Sequence, residues 1–292
     1  RKYKNKIILI GSVKLLNKQL KELGYRTNFN IVNNISEAKR NIVNIINIDL
    51  DFNKSFKNIS SESNRYIKKS FNMALDILKK NKHNTILING PISKKTFLKK
   101  KYSGITEYLS MKTKSKGEVM LIYNKNLSVS PLTTHTPIKY VTKNITKKKI
   151  LENISKINKF YKQTLKKKCH IAVLGLNPHC ETTSKYSEEE KIIIPSLNIL
   201  KKRGIKIKGP FSADTFFLNK NINKYDVVVG MYHDQVLTPI KTLFNFNAIN
   251  ITIGLPFIRI SPDHGPNSEM VGKNKSDPSS LIYAIEFIEK LN

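Results

Sequence analysis

Apolar residues fall into two rhythms along the chain: short continuous runs suited to buried strands, and helical stripes spaced three or four residues apart. Residues 7–10 read as a strand, followed by a helix from the cap-like Ser12 to Gly24 with Leu16, Leu20 and Leu23 on one face. Ile67, Phe71, Ala74 and Leu78 mark a second helix, and residues 85–89 (TILIN) a buried strand. A third stripe, Ile150, Ile154, Ile157 and Tyr161, leads into a strand at 170–174. A fourth helix starts at Ser187, where Glu190 three residues on makes a capping box, and stops before Gly204. Strands at 226–229 and 249–253 and a helix from about Asp277 complete the series. This alternation predicts an α/β fold with a largely parallel sheet. No repeat, low-complexity tail or clear linker interrupts it.

Composition narrows the picture. The 292 residues are 39% hydrophobic and 9% aromatic, which excludes a wholly disordered chain and permits a substantial core. The net charge of +31 taken alone points to nucleic acid. However, only six basic residues are Arg, and the many Lys are spread among Asn and Ile, so a solvated basic surface is expected and no nucleic-acid partner. The two cysteines, Cys169 and Cys180, form neither a disulfide framework nor a four-Cys zinc site; both read as small core residues of a reducing, cytoplasmic protein. No apolar run approaches the roughly 18 to 20 residues of a membrane helix. The apolar run after the basic opening is too short for a signal peptide. The first residue is Arg rather than Met, so the natural start is expected upstream.

Candidate chemistry gathers where strands end, the place ligands occupy in open α/β sheets. TILIN runs into Gly90, Pro91 and Lys94; the strand at 170–174 runs into Asn177, Pro178 and His179; the segment near Lys206 runs into Ser212 and Asp214; the strand at 226–229 runs into Tyr232, His233 and Asp234. Thr133-Thr134-His135-Thr136-Pro137 follows a further apolar stretch. Three imidazoles from separate strand ends, His135, His179 and His233, suit a divalent-metal site with an open position, or alternatively hydrogen-bond loop backbone. His83 reads as solvated, His170 as structural, and His264 as either a turn or a binding-loop residue. Lys241 and Arg259 flank the strand holding Asn250 and suit a carboxylate or phosphate. Asp214 is a candidate general base or an ordinary N-cap. Neither GxGxxG nor GxxxxGK[ST] is present, so an ordinary Rossmann or P-loop nucleotide site is not supported.

The blocks INGPISK, GITEYLS, TTHTPI, GLNPHCE with SEEEKIIIPSL, GPFSADTFF, YDVVVGMYHDQVLTPIK and INITIGLPFIRISPDHG stand in one order and cover most of residues 85–277. In these the chain resembles the 4-hydroxythreonine-4-phosphate dehydrogenases of vitamin B6 biosynthesis. The resemblance implies an isocitrate/isopropylmalate dehydrogenase-like α/β fold of two domains around a cleft. Residues 1–100 with 255–292 would form the nucleotide side, and 101–254 the metal, substrate and dimerisation side. It implies a homodimer with active sites at the interface, NAD or NADP, and one divalent metal per site (Zn, Mg or Co). The reaction implied is oxidation of 4-phosphooxy-L-threonine and decarboxylation to 3-amino-2-oxopropyl phosphate. On matching positions the metal ligands fall on His135, His179 and His233, with ligands shared across the dimer. Substrate contacts fall on Thr106, Lys241, Asn250 and Arg259; Asp214 and Lys241 are assigned catalytic roles. Asp263, Gly265, Asn267 and Asn274 fall on a loop near the nucleotide.

Two departures stand out. The family's opening strand and Gly-rich GEPAGIGPE-type segment have no counterpart here, which implies a fragment or a lost first strand. Its GHTE motif is Gly104-Ile105-Thr106-Glu107 in this chain, so an apolar group replaces a hydrogen-bonding His, and Ile105→His is expected to lower KM if the pocket has room. A loop contraction after His179 is smaller. A related metal-dependent dehydrogenase acting on another phosphorylated or hydroxy acid is the alternative enzyme reading, and a basic nucleic-acid-binding protein the distant one.

Overall fold

The computed structural model describes residues 3–81, 85–99, 101–180, 187–218, 222–245 and 247–291. His83 lies outside the described residues. The first apolar runs form β1 (Ile7–Gly11), β2 (Phe29–Ile31) and β3 (Val43–Asn47), a small parallel sheet in the order β1-β3-β2. The rest form β4 (Leu87–Ile88), β5 (Val119–Tyr123), β6 (Ser128–Thr133), β7 (Ile171–Leu174), β8 (Ile207–Phe211), β9 (Val227–Tyr232), β10 (Ile249–Ile253) and β11 (Arg259–Pro262). They make one eight-stranded sheet in the order β4-β11-β10-β5-β6-β9-β7-β8.

The expected parallel character holds for part of this sheet only. β6, β9, β7 and β8 are parallel neighbours, joined by helical crossovers. β5–β6 and β10–β11 are antiparallel, as is β5–β10. The reason is connection length: residues 124–127 and 254–258 are too few for a crossover, which needs a dozen or more residues.

The predicted helices form at Val13–Glu22, Asn64–Lys80, Lys147–Gln163, Ile194–Lys202 and Ser279–Glu289. Ser12 caps the first by accepting from the Leu15 N–H, and Ser187 Oγ accepts from Glu190 N–H at 3.2 Å. Ile150, Ile154, Ile157 and Tyr161 are buried against the sheet, where their helix meets β5, β6 and β10, as their spacing required. Gly209, between β7 and the acidic turn after β8, has φ +139°, and a Cβ there would stand 2.4 Å from the Val173 carbonyl oxygen, so only glycine fits. Cys169 is core, and burial pushes its thiol up; Cys180 is only half-buried, packed against Gly175 and Glu189 rather than in the core. Among the described residues no helix is long and apolar enough to cross a membrane.

Candidate active site

Strand register brings two of the histidines together. β6 and β9 lie side by side with Thr133 opposite Tyr232, so His135 and His233 leave the same sheet edge. Their ring centroids are 6.3 Å apart, on a cleft of about 320 Å³ lined by Thr134, His135, Thr136, Tyr232, His233 and Asp234. β7 and β8 follow β9 in the sheet and deliver His179 and Asp214 to the same edge, with His179 Nδ1 3.5 Å from Asp214 Oδ2. A hydrogen bond from Ser212 and the charge of His179 hold the exposed Asp214 carboxyl below its ordinary range.

All three imidazoles share a feature. His135 Nδ1 is 3.5 Å from Glu107 Oε1, His179 Nδ1 faces Asp214, and His233 Nδ1 is 2.6 Å from Asp234 Oδ1. A carboxylate facing Nδ1 favours the ring proton there and an outward Nε2 lone pair, the orientation of metal-ligating histidines, and at His233 the two atoms are hydrogen-bonded. The donor set therefore fits a divalent ion. Among the described residues of this single chain, no three His, Cys, Asp or Glu side chains close into a cation cage. Burial pushes Glu107 up, but hydrogen bonding and charge from His135, with Lys94 beyond it, hold its carboxyl low. Lys94 Nζ stands 3.1 Å from His135 Nε2.

The antiparallel pair β10–β11 builds the second half. Thr252 lies opposite Arg259 and Asn250 opposite Ser261, so these four residues share one face. Arg259 is 4% exposed; its Nε donates to Asn89 Oδ1 at 2.6 Å and its Nη1 to Thr252 Oγ1 at 3.0 Å. Burial pushes the guanidinium down to about 10, against the upward pull of Glu107. Thr106 Oγ1 is 3.5 Å from Thr252 Oγ1, and Asn250 Oδ1 is buried with no partner among the described residues. Thr106, Asn250 and Arg259 thus gather around one polar face. Ile105, their neighbour, is buried with Phe71, Leu98, Tyr108 and Leu109, apolar surroundings that offer an imidazole no hydrogen-bond partner.

Lys241 meets a different partner. Its Nζ donates to Asp263 Oδ2 at 3.0 Å and to the Asp263 carbonyl at 3.1 Å. Burial pushes Asp263 up, and the charges of Lys241, His233 and His264 oppose this without cancelling it. Asp263 therefore sits beside the histidine cleft. Beyond it His264, Gly265 and Asn267 are exposed, and open space lies over Gly265. Asn274, at φ +53°, accepts a hydrogen bond from Tyr25 Oη at 3.1 Å. The backbone N–H of His170 donates to Asp226 Oδ2 at 2.9 Å.

Sequence reasoning missed Asn89, Glu107, Glu189 and Gln235. Each stands inside or beside a motif it had singled out, and what it missed was their contacts across the sheet.

Comparison with known proteins places the chain. The profile of the family described as pyridoxal phosphate biosynthetic protein PdxA matches residues 3–288. A 4-hydroxythreonine-4-phosphate dehydrogenase of Sulfurihydrogenibium sp. (strain YO3AOP1) is 38% identical over 286 residues, 96% of this chain and 87% of that protein. The crystal structure of the 4-hydroxythreonine-4-phosphate dehydrogenase from Klebsiella pneumoniae superposes with a TM-score of 0.84 at 25% identity, covering 98% of this chain and 90% of that one. Isocitrate dehydrogenase from Methylococcus capsulatus shares the fold alone, with a TM-score of 0.51 at 12% identity over 98% of this chain and 84% of that one. The α/β architecture is thus of the isocitrate dehydrogenase-like kind. The family profile spans nearly the whole chain, and a relative 38% identical matches it over 87% of that protein's length: the chain belongs to the PdxA family of pyridoxal phosphate biosynthetic proteins.

Proposed function

We propose that this chain is a cytoplasmic 4-hydroxythreonine-4-phosphate dehydrogenase. On this reading it oxidises the alcohol of 4-phosphooxy-L-threonine with NAD or NADP and releases carbon dioxide to give 3-amino-2-oxopropyl phosphate. One observation carries the reading: a cleft between two histidines with carboxylate-bound Nδ1 atoms, in a chain whose buried Arg259 shares a polar face with Asn250. His135, His179 and His233 would hold one divalent ion, zinc, magnesium or cobalt, with ligands drawn from both subunits of a homodimer. When bound, such an ion supplies a Lewis acid that acidifies the substrate hydroxyl and polarises the ketone.

The protein's own groups do the rest. Arg259 and Thr106 bind an anionic end of the substrate, and Asn250 Oδ1 accepts from its ammonium or hydroxyl. Glu107, Asp214 and Asp234 keep the three imidazoles in one tautomer. Asp214, ionised at neutral pH, takes the hydroxyl proton on the His179 side. Asp263 anchors Lys241 Nζ, the group assigned to return a proton to the product. The loop of Asp263, Gly265, Asn267 and Asn274 receives the nucleotide, so residues 1–100 with 255–292 form the nucleotide side and 101–254 the metal side.

The test is NADH formation from 4-phosphooxy-L-threonine by purified protein, with and without chelator; turnover unaffected by chelation overturns the metal-assisted reading. The packing of Ile105 into the core favours a second reading, a related phosphorylated or hydroxy acid as substrate. Preference for such an acid over 4-phosphooxy-L-threonine in direct competition selects it.

A further inference from the structure

The loop carrying His179 is held in a costly conformation. His179 and Cys180 both have left-handed backbone, φ +57° and φ +54°, which non-glycine residues avoid. Two buried side chains from other elements hold its root. Glu189, 1% exposed, accepts from the Leu176 N–H at 2.7 Å and the Asn177 N–H at 2.9 Å through Oε1, and from Asn177 Nδ2 at 2.7 Å through Oε2. Gln235, two residues after His233, donates from Nε2 to the Gly175 carbonyl at 2.7 Å and accepts from the Met231 N–H at 2.7 Å.

The peptide bond joining Gly175 to Leu176 is thereby gripped on both sides, its C=O by Gln235 and its N–H by Glu189. The same glutamine fastens that peptide to the strand end from which His233 departs. Two glycines make room: a Cβ on Gly175 would stand 3.0 Å from Glu189 Oε1, and one on Gly230 would stand 2.9 Å from Gln235 Oε1. Neither Glu189 nor Gln235 faces the cleft.

We infer that Glu189 and Gln235 are positioning residues that set His179 relative to His233 for binding a divalent cation. This rests on the metal reading above. Loss of such an outer partner typically lowers metal affinity about tenfold to a hundredfold.

The probe is Co²⁺ alone, titrated into the purified chain without substrate or nucleotide and followed by its visible absorption, with thermal melting alongside. Glu189→Ala and Gln235→Met should each weaken Co²⁺ binding about tenfold to a hundredfold and alter the spectrum. Glu189→Gln keeps an acceptor for both backbone N–H groups and should recover most of the affinity. Tyr161→Phe removes a buried hydrogen bond to Ser128 at the far end of β6, so it should melt earlier yet bind Co²⁺ as wild type does. If Glu189→Ala does not fold, Gln235→Met decides. Wild-type affinity and spectrum in both clamp variants, with His179→Ala defective, overturn the inference and spare the metal reading. A wild-type chain that binds no Co²⁺, or His179→Ala binding normally, overturns both.

Discussion

Replacing Arg259 with Met separates a residue kept for function from one kept for stability. Burial costs this cation: the fall from the ordinary guanidinium range to about 10 corresponds to about 3 kcal/mol against the charged form. That penalty on folding is full at every pH below the folded value and disappears only above the ordinary guanidinium range. Met of similar length removes the penalty but leaves Asn89 Oδ1 and Thr252 Oγ1 without their donor, at about 1–3 kcal/mol each. The two effects nearly cancel, so Arg259→Met should stay within about 3 kcal/mol of wild type and shift Tm by less than about 8 °C. Substrate binding has no such compensation. Loss of one hydrogen bond to a charged group, about 1.5–3 kcal/mol, raises KM about tenfold to a hundredfold. Melting followed by circular dichroism and steady-state NADH kinetics measure both. An Arg259→Met protein that is unfolded, or one with unchanged KM, refutes the reasoning, since the first marks a structural cation and the second a bystander.

His135→Ala, His179→Ala and His233→Ala should each lose stoichiometric bound metal while keeping the fold; mixing His135→Ala with His233→Ala subunits should restore some activity where those ligands belong to different chains, and full turnover by isolated monomers would contradict this. Hydrogen bonds hold Glu189 below 4.5, so its contribution is fully present above that value and lost as pH falls through its folded pKa; the stability of wild type should decline with acidification below about pH 4.5, and Glu189→Gln should show a shallower decline in the same melts. Ile105→His places a polar ring among Phe71, Leu98 and Leu109 and should cost about 1–3 kcal/mol of stability, read as a lower denaturant midpoint, with no gain in substrate affinity.

Much of this fold is written in local pattern. The stripe from Ile150 to Tyr161 and the cap at Ser187 needed only neighbours three or four residues away, and both formed as their spacing demands. Strand direction at β5–β6 and β10–β11 was also legible in principle, since short connections forbid crossovers, yet the α/β rhythm drew attention away from it. The histidines were legible because strand ends expose them. Glu107 and Glu189 were not, because their partners are fixed by which strands lie side by side, and no spacing along the chain encodes that. Ile105 shows the opposite limit: a motif comparison places it in the site, whereas the first turn of its helix rotates it into the core.

The two halves of the site differ in how the chain must fold to make them. Asn250, Thr252, Arg259 and Asp263 belong to one hairpin and its edge, a local unit that closes a short loop and needs little chain entropy to form. His135, His179 and His233 come from segments far apart in sequence that meet only after β6, β7 and β9 have paired in parallel, a slow, nonlocal event. The pairing that sets Thr252 opposite Arg259 is thus local, whereas the edge that carries His135 and His233 waits on the parallel pairing of β6 with β9.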